Sequence, residues 1–312
     1  MSASSAARAA TLPTGISPGG RFDAWEPRPV AFVVCDVDGT LVGPTASATD
    51  EVVAAVERAH AAGLRVGYAT GRMRDAVAGL HRQLRALGPH VLHNGAEVRA
   101  DGRTIAGWSL ERDEVEALLG IADERDDLYL EVYATSGFVV SRWDPRAQPH
   151  WDILGAEPLG VISTASELTD PVVPKATFAT FSEQGTAWLL ERLSTLELEV
   201  GHAGSPLTPG LAFVNVSRPG ATKGSALDLA AKHLGIDLSA VAAIGDAAND
   251  RSMLEVAGTA VAMGQAPREI REVAHLVVPD VDTHGVATAL DALVGWSGVE
   301  VAGRPDHAKT VL

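Results

Sequence analysis

Residues 30–44 read VAFVVCDVDGTLVGP. The stretch VAFVVC is continuously apolar and rich in β-branched valine, the form of a central strand covered on both faces. Asp36 and Asp38 follow it directly, and Gly39 and Thr40 then supply a residue that permits a sharp turn and one that caps it. Carboxylates at the end of a buried strand are costly unless a cation balances them, so the remaining strand ends decide what this stretch means.

From residue 30 onward, apolar runs alternate with amphipathic helical patterns, predicting βαβ units and a parallel sheet. Ser47 with Asp50 predicts a helix start, and Val52, Val56 and Ala59 share one helical face before Gly63. LRVGYA (64–69) predicts the next strand; Met73, Val77, Leu80, Leu84 and Leu87 follow a helical period that Gly88-Pro89 stops; HVLHNGA (90–96) predicts a third strand with its exit loop. After about residue 100, strands neighbour strands. DLYLEVY with GFVVSR, and LELEVG with LAFVNVS, predict antiparallel pairs, with helices at 111–124 and 185–195, while RWDPRAQPHWDILGAEPLG (142–160) reads as an irregular loop. Alternation returns from residue 221, with AVAAIG, TAVAMG and HLVVP as strands. The predicted organisation is a tail at 1–28, a parallel α/β core at 29–103 and 213–297, an inserted α+β domain at 104–212 and a C-terminal tail at 298–312.

The 312 residues carry a net charge of −15 without any Lys/Arg-rich run, which disfavours a nucleic-acid surface. The N-terminal stretch lacks the apolar core of a secretory signal, and no apolar run approaches a membrane span. The single cysteine, Cys35, forms no internal disulfide and is compatible with a reducing, cytoplasmic setting.

In open parallel sheets, ligands bind beyond the carboxyl ends of strands. Those positions carry Asp36 and Asp38, Thr70, Asn94, and the group Asp246, Asn249 and Asp250. So many carboxylates near one point repel each other unless a hard divalent cation sits among them, and an all-oxygen set suits Mg²⁺ better than zinc. Within D-x-D, one carboxylate can attack an electrophile while the other donates a proton to the leaving group and later activates water. Lys223, at the first turn of a predicted helix, and Thr70 with Gly71 are suited to hold an anion such as a phosphate.

These residues make the chain resemble the haloacid dehalogenase superfamily, and within it the Cof-type phosphatases with a C2-type cap inserted into a Rossmann-like core. The resemblance spans about residues 30–295 and rests on DVDGT (36–40), Thr70-Gly71-Arg72, Lys223 in GATKGSAL, and GDAAND (245–250). It implies that Asp36 forms an aspartyl-phosphate and Asp38 is the general acid and base. It places Val37, Thr70, Gly71, Lys223 and Asn249 about the phosphoryl group. Mg²⁺ is then held by Asp36, the Asp38 carbonyl and Asp246, with Gly39, Thr40 and Asp250 in support. Asn94, Arg72, Glu131, Trp143, His150, Trp151 and Lys175 are candidates to face the substrate. Gln265, His93 and His284 depart from residues common in relatives, which bears on substrate contacts. The implied activity is Mg²⁺-dependent hydrolysis of a small phosphate ester, with sugar phosphates as the expected class. A phosphomannomutase-like phosphotransferase and a non-catalytic, Asp-phosphorylated signalling module are the alternatives; Asp38 has no role in the latter.

Overall fold

The structure, a computed structural model, describes residues 9, 11–44, 47–135, 137–204 and 211–296. Contacts divide the chain into two compact units, Met1–Gly67 with Ala231–Leu312, and Tyr68–Ala230. These divisions fall at other residues than the 104–212 insert expected from the sequence. The tail expected at 298–312 lies outside the described residues.

The first unit is built on a largely parallel sheet. Phe32–Asp36 pairs with Val241–Gly245, which pairs with Thr259–Ala262, which pairs with Leu276–Val277. Phe32 to Cys35 and Val241 to Ile244 are each 0% exposed, as continuous apolar runs covered on both faces should be. The flanking helix Asp50–Ala61 starts at Thr49, whose Oγ1 accepts from Val52 N, rather than at Ser47; a side chain caps only from the residue immediately preceding the first turn. It packs on the helix Gly285–Trp296, with Arg58 bonded to both oxygens of Asp291.

Residues 17–28 are not a loose tail. Ser17–Pro18 adds an antiparallel strand to Leu276–Val277, and Trp25 is 1% exposed. Its indole nitrogen donates to Thr259 Oγ1 at 3.1 Å, and its ring meets those of Phe22, His275 and Trp296. Isolated aromatic residues in a Pro/Gly-rich stretch have no periodicity, so burial of this kind is invisible until the partner surface exists.

In the second unit Ala69 pairs with Val91, and the strand His90–Leu92 continues antiparallel into Glu97–Ala100 and Arg103–Gly107, a hairpin the sequence reading did not assign. A separate antiparallel sheet has the order Glu199–Gly204, Ala212–Ser217, Lys175–Thr180, Leu128–Ala134, Gly137–Val140, in agreement with the predicted pairs. Along Leu128–Ala134 the faces alternate. Leu128, Leu130 and Val132 pack with Leu118 and Leu189 of the helices Arg112–Asp123 and Glu183–Leu193, while Tyr129 and Tyr133 belong to a second cluster with Phe138 and Trp151. The stretch 142–160 contains a helix, Gln148–Leu154, instead of only loop. Pro149 is tolerated in its first turn, and burial of Trp151 supplies the packing that its short sequence pattern could not announce.

Because Trp25 anchors this segment, Trp25→Ala is expected to lower stability by about 3–5 kcal/mol in urea unfolding, the cost of removing a buried tryptophan. A truly loose tail would show no change.

Candidate active site

The register of the first sheet sets the acidic group. Cys35 lies beside Ile244, so Asp36 and Asp246 emerge from adjacent parallel strands at the same edge. One carboxylate oxygen from each of Asp36, Asp246 and Asp250 lies within 4.8 Å of the others. The set contains neither His nor Cys, and such hard oxygen donors fit a hard divalent cation. Asp36 and Asp250 are buried and Asp38 is exposed. Asp250 Oδ2 accepts from the backbone N–H groups of Asp246 and Ala247, both at 2.9 Å, which orients the carboxylate and fixes the turn carrying Asp246. Asn249, in the same turn, is exposed.

Thr40, fully buried, donates to Asp246 Oδ1 at 3.0 Å. Gly39 has φ +85°, and a side chain there would run into the Asp246 carboxylate, so this position requires glycine both for conformation and for space. Gln265, expected among the substrate contacts, instead meets the acidic group: its Nε2 donates to Gly39 O at 2.6 Å and stands 3.3 Å from Asp246 Oδ2. Its Oε1 accepts from Val281 N. The signal was its position just past the strand Thr259–Ala262. His284 instead contacts Thr49, with Nδ1 at 3.2 Å from Oγ1. Burial, reinforced by the Asp36 charge, pushes the Cys35 thiol pKa up, leaving it a packing residue.

The second unit carries the anion-binding candidates Thr70, Gly71 and Lys223, while Val37 and Asn249 belong to the first. Thr70 N donates to Val91 O, and Asn94 N to Thr70 O, each at 2.9 Å. Gly95, at φ +114°, lets the loop lie directly against the Thr222–Lys223 backbone, where any side chain would collide. Thr222 and Ser225 exchange side-chain-to-backbone hydrogen bonds at the start of the helix Lys223–Leu234, and Lys223 is 1% exposed. Thr70, Asn94 and Lys223 are thereby brought into one neighbourhood by three segments.

Of the remaining candidates, Glu131 and Lys175 sit on the antiparallel sheet, His150 and Trp151 on the helix Gln148–Leu154, and Trp143 on the segment between strand and helix. Glu131, 0% exposed, accepts from Tyr129 OH (2.8 Å), Tyr133 OH (2.6 Å) and Trp151 Nε1 (3.0 Å). His150 Nε2 stands 3.3 Å from its other oxygen, an electrostatic contact whose direction falls short of a hydrogen bond. Burial pushes the Glu131 pKa up, but His150 and the tyrosine hydroxyls outweigh it and hold it below the ordinary value. Trp143 is exposed, with its ring 4.8 Å from that of Trp151. Lys175 is buried; burial lowers its pKa to about 8 against the opposing pull of Glu131. His93, buried at φ +52°, is held neutral, its pKa brought down to about 3 by burial and by Lys175.

A family model described as haloacid dehalogenase-like hydrolase matches residues 33–290. The chain belongs to the haloacid dehalogenase-like hydrolase family. This hydrolase is 27% identical over 290 residues to Phosphatase YwpJ of Bacillus subtilis (strain 168), covering 84% of this chain and 99% of that one. Among solved structures, BT1666 from Bacteroides thetaiotaomicron, described among phosphatases of the haloalkanoate enzyme superfamily, matches with a TM-score of 0.72 at 26% identity, over 86% of this chain and 96% of that one. BT4131, described as a subclass IIB sugar phosphatase, matches with a TM-score of 0.71 at 26% identity, over 84% and 98%. Among the described residues, no helix is long and apolar enough to cross a membrane.

Two outcomes follow from the geometry. Gly39→Ala is expected to weaken divalent-cation binding at least about tenfold by calorimetry, because a side chain at this position displaces the Asp246 carboxylate from the acidic group. Glu131→Ala is expected to cost about 3–5 kcal/mol in urea unfolding by stranding its donors in the interior. Since its folded pKa lies below the unfolded value of 4.5, the carboxylate's contribution is complete well above that pH and is lost on acidification below it, so wild type and variant should converge in stability as pH falls.

Proposed function

We propose that this hydrolase is a Mg²⁺-dependent phosphatase of small phosphorylated metabolites, sugar phosphates foremost, working through an aspartyl-phosphate on Asp36. The observation that carries the reading is the convergence of Asp36, Asp246 and Asp250 at one sheet edge. The names of its relatives, a phosphatase and a sugar phosphatase, support the substrate class.

In this reading an Asp36 oxygen attacks phosphorus while the ester oxygen leaves and takes a proton from Asp38. Asp38, now ionised, withdraws a proton from water, whose oxygen attacks the aspartyl-phosphate; inorganic phosphate departs and Asp36 is regenerated. Thr70, Gly71, Lys223, Asn249 and the Val37 backbone hold the phosphoryl oxygens. Asp36, Asp246 and the Asp38 carbonyl, with Asp250 adjoining, would hold Mg²⁺, which would supply positive charge to stabilise the transferring phosphoryl group. Gly39, Thr40 and Gln265 keep Asp246 in place, while Arg72 and Asn94 border the substrate.

The test is phosphate release by the purified protein with Mg²⁺ across a panel of phosphorylated metabolites. Asp36→Asn is expected to lower kcat by roughly 10⁴-fold or more, the scale on which nucleophile removal acts. Robust turnover by that variant would overturn the nucleophile assignment, and transfer to a second sugar without phosphate release would identify a phosphotransferase.

A further inference from the structure

The peptide group joining Gly71 to Arg72 is held at both ends by side chains. Its N–H, that of Arg72, donates to Thr70 Oγ1 at 3.1 Å. Its C=O, that of Gly71, accepts from Lys175 Nζ at 3.1 Å. A threonine hydroxyl has one hydrogen to donate, and an oxygen already accepting from a neighbour directs that hydrogen away from it. Orientation of this one peptide therefore restricts where the Thr70 O–H points.

Lys175 is an unusual residue to spend on a backbone carbonyl. It is 8% exposed, at the first position of the strand Lys175–Thr180, and register sets it opposite Tyr133. Its Nζ lies 4.3 Å from the Tyr133 ring centroid, and the Tyr133 hydroxyl donates to Glu131 Oε2 at 2.6 Å. Burying an ammonium costs several kcal/mol before compensation; here a carbonyl, an aromatic face and the nearby Glu131 charge provide it. Glu131 has its own donors in Tyr129, Tyr133 and Trp151, so the ammonium is left to the Gly71 carbonyl for its direct hydrogen bond.

We propose that Lys175 is a positioning residue for phosphoryl transfer: by gripping the Gly71 carbonyl it fixes the Gly71–Arg72 peptide, and through the Arg72 N–H it presents the Thr70 hydroxyl as a donor to the phosphoryl group. The inference rests on the proposed role of Thr70 as a phosphoryl ligand. A residue acting in this way affects every phosphate ester alike, since it senses the transferred group. A residue touching the leaving group affects esters unequally.

The experiment is a double-mutant cycle on the full-length protein with Mg²⁺, using Lys175→Met, Thr70→Val and both together. Activity is read as kcat/KM on p-nitrophenyl phosphate and on a sugar phosphate that the wild type turns over, alongside inhibition by inorganic phosphate. Thr70→Val is expected to lose roughly 100-fold, the scale of one preorganised donor. Lys175→Met is expected to lose roughly tenfold, within the range of contact couplings, by the same factor for both esters, with the phosphate inhibition constant raised in parallel. The double variant should be no worse than Thr70→Val. An unimpaired Lys175→Met, multiplicative losses in the double variant, or a loss confined to one ester would each overturn the inference while leaving an impaired Thr70→Val to support the Thr70 role. An unimpaired Thr70→Val would overturn that role and the inference with it. Lys175→Leu, which likewise removes the donor, takes the place of Lys175→Met in the same cycle if the latter does not fold, and Lys175→Gln, which keeps an N–H donor, is expected to recover part of the loss.

Discussion

Mutual repulsion among three carboxylates governs the first unit. At 4.8 Å, two unit charges repel by roughly 3–4 kcal/mol at an effective dielectric of about 20, so Asp36, Asp246 and Asp250 stay together only because a framework compels them. The framework is the pairing of two strands with no exposed residue between Phe32 and Cys35 or between Val241 and Ile244. Hydrogen bonds then trim each acid: backbone N–H groups hold Asp250, while Thr40 and Gln265 hold Asp246. A cation is the natural complement to charge concentrated in this way.

The second unit solves the opposite difficulty, a buried cation. Lys175 and Glu131 both lie in the interior, on the same face of one antiparallel sheet, and neither is bonded directly to the other. The tyrosine between them bonds the acid through its hydroxyl and meets the ammonium with its ring. That separation leaves the ammonium available to a backbone carbonyl in the Thr70 loop, which a direct ion pair would have pre-empted.

Much of the fold was legible because its signals are local. Continuous valine-rich runs announced the buried strands; DLYLEVY followed closely by GFVVSR announced an antiparallel pair. The strand-end acids, Thr70 and Lys223 stood out because turn and helix-start positions can be read from neighbours in the chain. What escaped was whatever depends on a distant surface. Trp25 gains its meaning from Thr259 and Trp296, the helix Gln148–Leu154 from the pocket that receives Trp151, and Gln265 from a carbonyl 226 residues away.

By itself, then, the sequence determined the family, the alternation of strands and helices, and which side chains are candidates to carry chemistry, since each is written in spacing over a few residues. Only the tertiary structure decided how those side chains are held. Lys175 and Gly71 stand 104 residues apart, and whether an ammonium meets that carbonyl depends on sheet register and side-chain packing, which no local pattern encodes.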